Sequence, residues 1–98
     1  MNRMTTREVQ EHIKNNKDAS IIDVRETEEV KAGKIPGAVN IPLGLIEFRL
    51  QDIDKSKEHI LVCRSGNCSG MATNILESRG YNVINMDGGM LDWDEPTE

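Results

Sequence analysis

The chain has 98 residues, which suits one domain and leaves no room for two. Leu, Ile, Val and Phe supply 23 of them, above the roughly 20% below which a charged chain tends to stay disordered, so one compact core is feasible. Twelve basic against seventeen acidic residues give a net charge of −5; with no basic block, and with Phe48, Tyr81 and Trp93 as the only aromatics, neither a nucleic-acid groove nor a base-stacking platform is expected. No apolar run approaches the ~18 residues of a membrane span, and no signal peptide opens the chain. Two cysteines, Cys63 and Cys68, are too few for a disulfide scaffold. The two histidines, His12 and His59, read as surface residues and leave a zinc site without an obvious ligand set, so no metal site is expected. The default is a cytoplasmic, monomeric domain with reduced thiols.

In chain order, Thr5 and Glu8 form a capping box, and Met4 and Val9 occupy the two positions of a hydrophobic staple. A helix follows with Val9 and Ile13 on one face and fades at Asn15–Asp18. Ser20–Val24 is a short β-branched apolar run and reads as a buried strand. Glu26–Ala32 fits a short helix stopped by Gly33. Ile35-Pro36-Gly37 has the Pro-Gly order of a type II turn. Val39 and Ile41 alternate with polar neighbours in a second strand before Pro42. Leu43, Ile46 and Leu50 predict a helix over about 43–51.

His59–Cys63 is a strand whose centre is continuously apolar, as in a parallel strand covered on both faces. Arg64–Ser69 is a turn-rich loop. Met71, Ala72, Ile75 and Leu76 mark a helix that ends at Arg79 and Gly80. Asn82–Met86 is another strand, broken by Asp87-Gly88-Gly89. A short amphipathic turn carries Leu91 and Trp93. Residues 94–98 read as a solvated acidic tail. Helices alternating with short apolar strands predict an α/β fold, a central mostly parallel sheet with helices on both faces. In such sheets sites form beyond the carboxyl ends of the strands, where Cys63 falls.

Cys63-Arg64-Ser65-Gly66-Asn67-Cys68-Ser69-Gly70 lies between a strand and a helix. Its two glycines let the backbone curl and expose successive N–H groups, which form an anion-binding nest with the positive end of the following helix. A thiol at the rim of such a nest is acidified. At a pKa near 8.5 only ~3% of a cysteine is thiolate at pH 7; at about 6.5 roughly three quarters is. Pattern alone leaves two readings of Cys63 open, a nucleophile and a small apolar residue ending a strand.

Three segments together resemble the rhodanese-like domains. The first is Asp23-Val24-Arg25-Glu26 with Glu29 and then Gly33-Lys34-Ile35-Pro36-Gly37-Ala38-Val39-Asn40-Ile41-Pro42. The second is Cys63-Arg64-Ser65-Gly66, and the third Asp87-Gly88-Gly89 followed by Trp93. Their order and spacing match over about 90 residues, nearly the whole chain. The resemblance implies a single-domain sulfurtransferase that needs no cofactor. Cys63 would carry sulfane sulfur as a persulfide, taken from a small sulfur donor and passed to cyanide or a thiol acceptor. A protein persulfide, or a thioredoxin- or glutathione-type thiol, would serve as partner. The backbone N–H groups from Arg64 to Ser69, through Ser65, Gly66, Asn67 and Cys68, would hold the sulfur anion and the departing group. Arg64 either adds charge at the mouth or simply faces solvent. Ser65 and Ser69 either donate hydroxyl hydrogen bonds or shape the turn. Asp23 and Arg25 are read mainly as an ion pair that fixes loops.

Two positions depart from the family pattern. Lys34 stands where the family usually has His. Cys68 stands where its loop commonly has an Arg that binds an anionic donor. Loss of one such charged contact, worth roughly 1.5–3 kcal/mol, shifts the expected donor from thiosulfate toward a persulfide. Cys68 is then either a resolving thiol or a loop-filling residue. Other classes remain as alternatives: a catalytically silent interaction module, a thiol redox protein cycling Cys63 and Cys68, and a phosphatase or arsenate reductase. The last wants an Arg six residues after the cysteine, where this chain has Ser69.

Overall fold

A computed structural model describes residues 1–98. Five strands, β1 (Asn2–Met4), β2 (Ser20–Asp23), β3 (Val39–Asn40), β4 (Glu58–Val62) and β5 (Asn82–Met86), form one sheet in the order β1-β5-β4-β2-β3. Every pairing is parallel. Three α-helices, α1 (Thr6–Asn15), α2 (Thr27–Lys31) and α3 (Asn67–Ser78), join 3-10 turns at Leu43–Phe48, Leu50–Asp52 and Gly89–Asp92. The α/β expectation holds, and the sheet is wholly rather than mostly parallel.

The central strands are buried on both faces, and their side chains alternate between two cores. Ile22, Leu61 and Val83 face Ala72 and Leu76 of α3 and Ile46 of the first 3-10 turn. Ile21, Ile60, Val62 and Ile84 face Val9 of α1, with Ile35 and Ala38. Helices therefore lie on both faces of the sheet. The capping box at Thr5 is formed: the Glu8 N–H donates to Thr5 Oγ1 (3.1 Å), and the Thr5 N–H donates to Glu8 Oε1 (2.9 Å). Gly37, at φ +84°, completes the turn after Pro36.

Several elements differ from the expectation. Strand β1 is an addition: the exposed Asn2 and Arg3 and the half-buried Met4 take their order from β5 rather than from any pattern of their own. The 43–51 helix is two 3-10 turns. Ile46 is fully buried in the first, and a three-residue turn also places Leu43 and Ile46 on one face, so the apolar spacing fits either helix type.

His59 is buried, not a surface residue. Nε2 of its ring faces the Asp54 carbonyl oxygen (2.6 Å), which only accepts; that nitrogen therefore carries a proton, and in the neutral ring Nδ1 accepts from Ser20 Oγ (2.6 Å). The 94–98 segment stays largely exposed but is docked. Lys34 and Glu98 exchange backbone hydrogen bonds (3.2 and 2.9 Å), Glu98 Oε1 pairs with Lys34 Nζ, and Gln10 holds Asp94. These partners lie 64 and 84 positions away, which is why composition alone reads the segment as free.

Candidate active site

Strand β4 ends at Val62, and the chain then turns through Cys63–Gly66 into α3. Helix α3 begins at Asn67, earlier than the apolar pattern indicates, so Asn67, Cys68 and Ser69 occupy its first turn rather than a loop. Gly66, just before it, has φ +101°, a conformation that side chains strongly disfavour. The turn aims the Gly66 N–H at Cys63 Sγ, 3.0 Å away.

The opposite edge of the turn is held by the Asp87-Gly88-Gly89 segment. The Met90 N–H donates to the Cys63 carbonyl (2.8 Å) and the Leu91 N–H to the Arg64 carbonyl (3.0 Å). With the carbonyls engaged behind the turn, its amides are free to face the sulfur. Gly89 sits against this backbone: a Cβ there would lie 2.4 Å from the Arg64 oxygen.

Cys63 itself is buried. Burial works against ionisation of its thiol. Hydrogen bonds from the Ser69 hydroxyl and from the backbone N–H groups of Ser69, Gly66 and Ser65 outweigh that effect and hold the thiol below its ordinary range. The Ser69 hydroxyl has one proton and three acceptors around it: the sulfur, the Gly66 carbonyl (3.2 Å) and Asn85 Oδ1. Asn85 is a buried polar residue in an apolar strand. It donates from Nδ2 to Asp87 Oδ1 (3.0 Å), and so links the floor of the site to the segment behind it.

Cys63 opens into a cleft of about 340 Å³. One wall carries Arg64, Ser65, Asn67 and Cys68; the other carries Val24, Arg25, Glu26, Glu29 and Leu43. Cys68 is exposed at this cleft, with both thiols free. Ser69 lies beneath the cleft, fully buried. Arg25 is bound to Asp23 through Nε (3.0 Å) and a terminal nitrogen (2.8 Å). That nitrogen also donates to the Gly33 carbonyl (2.7 Å). Asp23 is wholly buried, so Arg25 forms the wall and Asp23 fixes it.

A family model of the rhodanese-like domain matches residues 5–96. The chain belongs to the rhodanese-like domain family. It is 38% identical over 95 residues to the Bacillus subtilis protein named "Putative sulfurtransferase YtwF", covering 97% of this chain and 92% of that one. It is 31% identical over 94 residues to a protein of Allochromatium vinosum named "Sulfurtransferase", covering 95% and 88% of the two chains. A rhodanese-like domain protein from Staphylococcus aureus superposes with a TM-score of 0.95 at 35% identity, over 100% of this chain and 97% of that one.

In this rhodanese-like domain the three sequence segments meet at one sheet edge. The first supplies the Arg25 wall, the second the sulfur turn and the third its backing. The sequence motifs do not mark Asn85, Glu26 or Glu29 as lining or flooring the site. An Asn inside the apolar run Asn82–Met86 was the available signal for the first.

Proposed function

We propose that this protein is a sulfurtransferase that carries sulfane sulfur on Cys63 as a persulfide. The observation that carries the proposal is the acidified, buried thiol facing the Gly66 amide at the floor of an open cleft. The Cys63 thiolate attacks the outer sulfur of a donor, which is thiosulfate or a low-molecular-weight or protein persulfide. The donor's S–S bond breaks as the new one forms, and sulfite or a thiolate leaves with the electron pair. The amides of the turn bear the negative charge of the bound sulfur, as preorganised donors do at an oxyanion. A thiophilic acceptor, cyanide or a thiol, then attacks the terminal sulfur and returns Cys63 as thiolate. No outside oxidant or reductant enters the cycle. No helix is long and apolar enough to cross a membrane, and two free thiols suit a reducing cytoplasmic setting.

The test is intact mass of the reduced protein after brief exposure to thiosulfate and, separately, to glutathione persulfide. Gain of one sulfur, absent in Cys63→Ser and removed by cyanide, is the expected result. Loss of two hydrogens tied to both cysteines would favour a redox pair, and no change with either donor would favour a silent interaction module.

A further inference from the structure

The charges around the cleft are unevenly answered. The Arg25 charge is neutralised by Asp23 at 2.8 Å. Glu26 and Glu29, exposed on the same wall, have no cationic partner among the ion pairs of the molecule. Glu29 Oε1 accepts the Glu26 N–H at 3.3 Å, which holds the Glu29 carboxylate at the start of α2, where Glu26 is the N-cap residue. On the facing wall Arg64 is the one cation without a carboxylate partner, and Cys68 adds none. The mouth thus carries two carboxylates against one guanidinium, before the Cys63 thiolate is counted. The cradle's observed contact, the Gly66 N–H on Cys63 Sγ, serves the sulfur that every donor delivers, and its pull on a departing group is the same in the wild type and in a wall variant. Only the remainder of the donor, out in the mouth, meets the wall charges.

We propose that Glu26 and Glu29 set donor specificity, favouring sulfane-sulfur donors with a positive charge beside the transferred sulfur, such as an aminothiol persulfide, over dianionic thiosulfate. The proposal rests on the sulfur-transfer reading above. In the favoured reaction the Cys63 thiolate attacks the terminal sulfur of the protonated persulfide. The donor S–S bond breaks, Cys63 becomes Cys–S–SH, and the aminothiol leaves as thiolate beside its own ammonium group. The ammonium stays paired with the glutamates throughout. For thiosulfate, the same two carboxylates repel both the dianion and the sulfite that leaves.

Three donors of similar small size separate charge from chemistry: thiosulfate (dianion), 3-mercaptopropionate persulfide (anionic carboxylate) and cysteamine persulfide (ammonium). Sulfur loading of Cys63 is timed by intact mass for the wild type and for the double variant Glu26→Gln/Glu29→Gln. Glutamine keeps the side-chain length and the acceptor oxygen, and circular dichroism checks the fold. The two proteins are compared donor by donor, so intrinsic donor reactivity cancels. The variant should load from thiosulfate about three- to tenfold faster and from cysteamine persulfide slower by a similar factor, both effects shrinking at high salt. Equal change on all three donors, or none, with Cys63 still loading, overturns the specificity proposal alone. A wild type that gains no sulfur from any of the three overturns the sulfur-transfer reading and this one with it.

Discussion

Met90 and Cys63 are joined through their backbones: the Met90 N–H donates to the Cys63 carbonyl at 2.8 Å. This bond, repeated between Leu91 and Arg64, brings the 3-10 turn at the end of the chain against the back of the sulfur turn. Close approach is possible because Gly89 has no side chain, and its φ of +60° is one that other residues resist. Gly89→Ala should therefore cost at least about 2 kcal/mol, from left-handed strain and from overlap with the Arg64 and Cys63 carbonyls. Gly37 also has positive φ but nothing within 4 Å, so Gly37→Ala should show the strain alone. Urea unfolding of the two variants checks the difference, and equal losses would remove the close-approach argument.

The acidity of Cys63 is a second testable quantity. Alkylation by iodoacetamide reports thiolate, so its rate should rise with pH and level off at an inflection below the ordinary value of about 8.5. Ser69→Ala removes one donor and should move that inflection upward. Stability follows with a defined sign. The folded thiol ionises more readily than the unfolded one, so ionisation contributes stability that is present above the unfolded pKa. That contribution is lost as pH falls through the folded pKa. The wild type should lose stability relative to Cys63→Ser over that descent, and a pH-independent difference between them would contradict the assigned shift.

Much of this was legible beforehand because the informative residues act locally. The capping box at Thr5, the Pro36-Gly37 turn and the Cys63–Gly66 turn depend on neighbours within a few positions. The doubly buried strands announce themselves because Ile60-Leu61-Val62 has no polar side. What was hidden depends on distant partners. His59 looks like a surface residue until Ser20, 39 positions away, and the Asp54 carbonyl satisfy its ring. Strand β1 exists because β5 offers an unpaired edge. The acidic side of the cleft comes from the start of α2, where Glu26 reads locally as a cap and Glu29 as a first-turn residue; only the fold brings them to the cleft that Cys68 also lines.

The Asp23–Arg25 pair should matter first to stability. Asp23 is completely buried and the Arg25 side chain 9% exposed, so truncating one partner leaves a desolvated charge. Asp23→Ala is expected to cost about 3–5 kcal/mol, a large share of the roughly 5–15 kcal/mol that holds such a domain folded. Asp23→Asn keeps an acceptor for Arg25 and should cost less. Chemical denaturation measures both; a loss under about 1 kcal/mol for Asp23→Ala would mean water reaches the pair.

Cys68 is placed to act in two ways that separate by substitution. Its thiol is exposed on the first turn of α3, at the cleft into which Cys63 opens. In one role Cys68 only fills the turn; in the resolving role its thiolate would attack the Cys63 sulfur of the persulfide, with hydrosulfide leaving and a Cys63–Cys68 disulfide closing. Cys68→Ser should then lengthen the life of the persulfide and abolish the disulfide. An unchanged rate of sulfide release would leave Cys68 without a resolving role. Cys68→Arg asks a different question, since it supplies a fixed cation to an anionic donor. One charged contact is worth roughly 1.5–3 kcal/mol, and solvent exposure puts this site at the low end, so thiosulfate loading should rise about tenfold. Loading from cysteamine persulfide should not rise with it. A parallel gain would mean that arginine acidifies Cys63 rather than binding the donor, and the iodoacetamide profile of the same variant would show that shift directly.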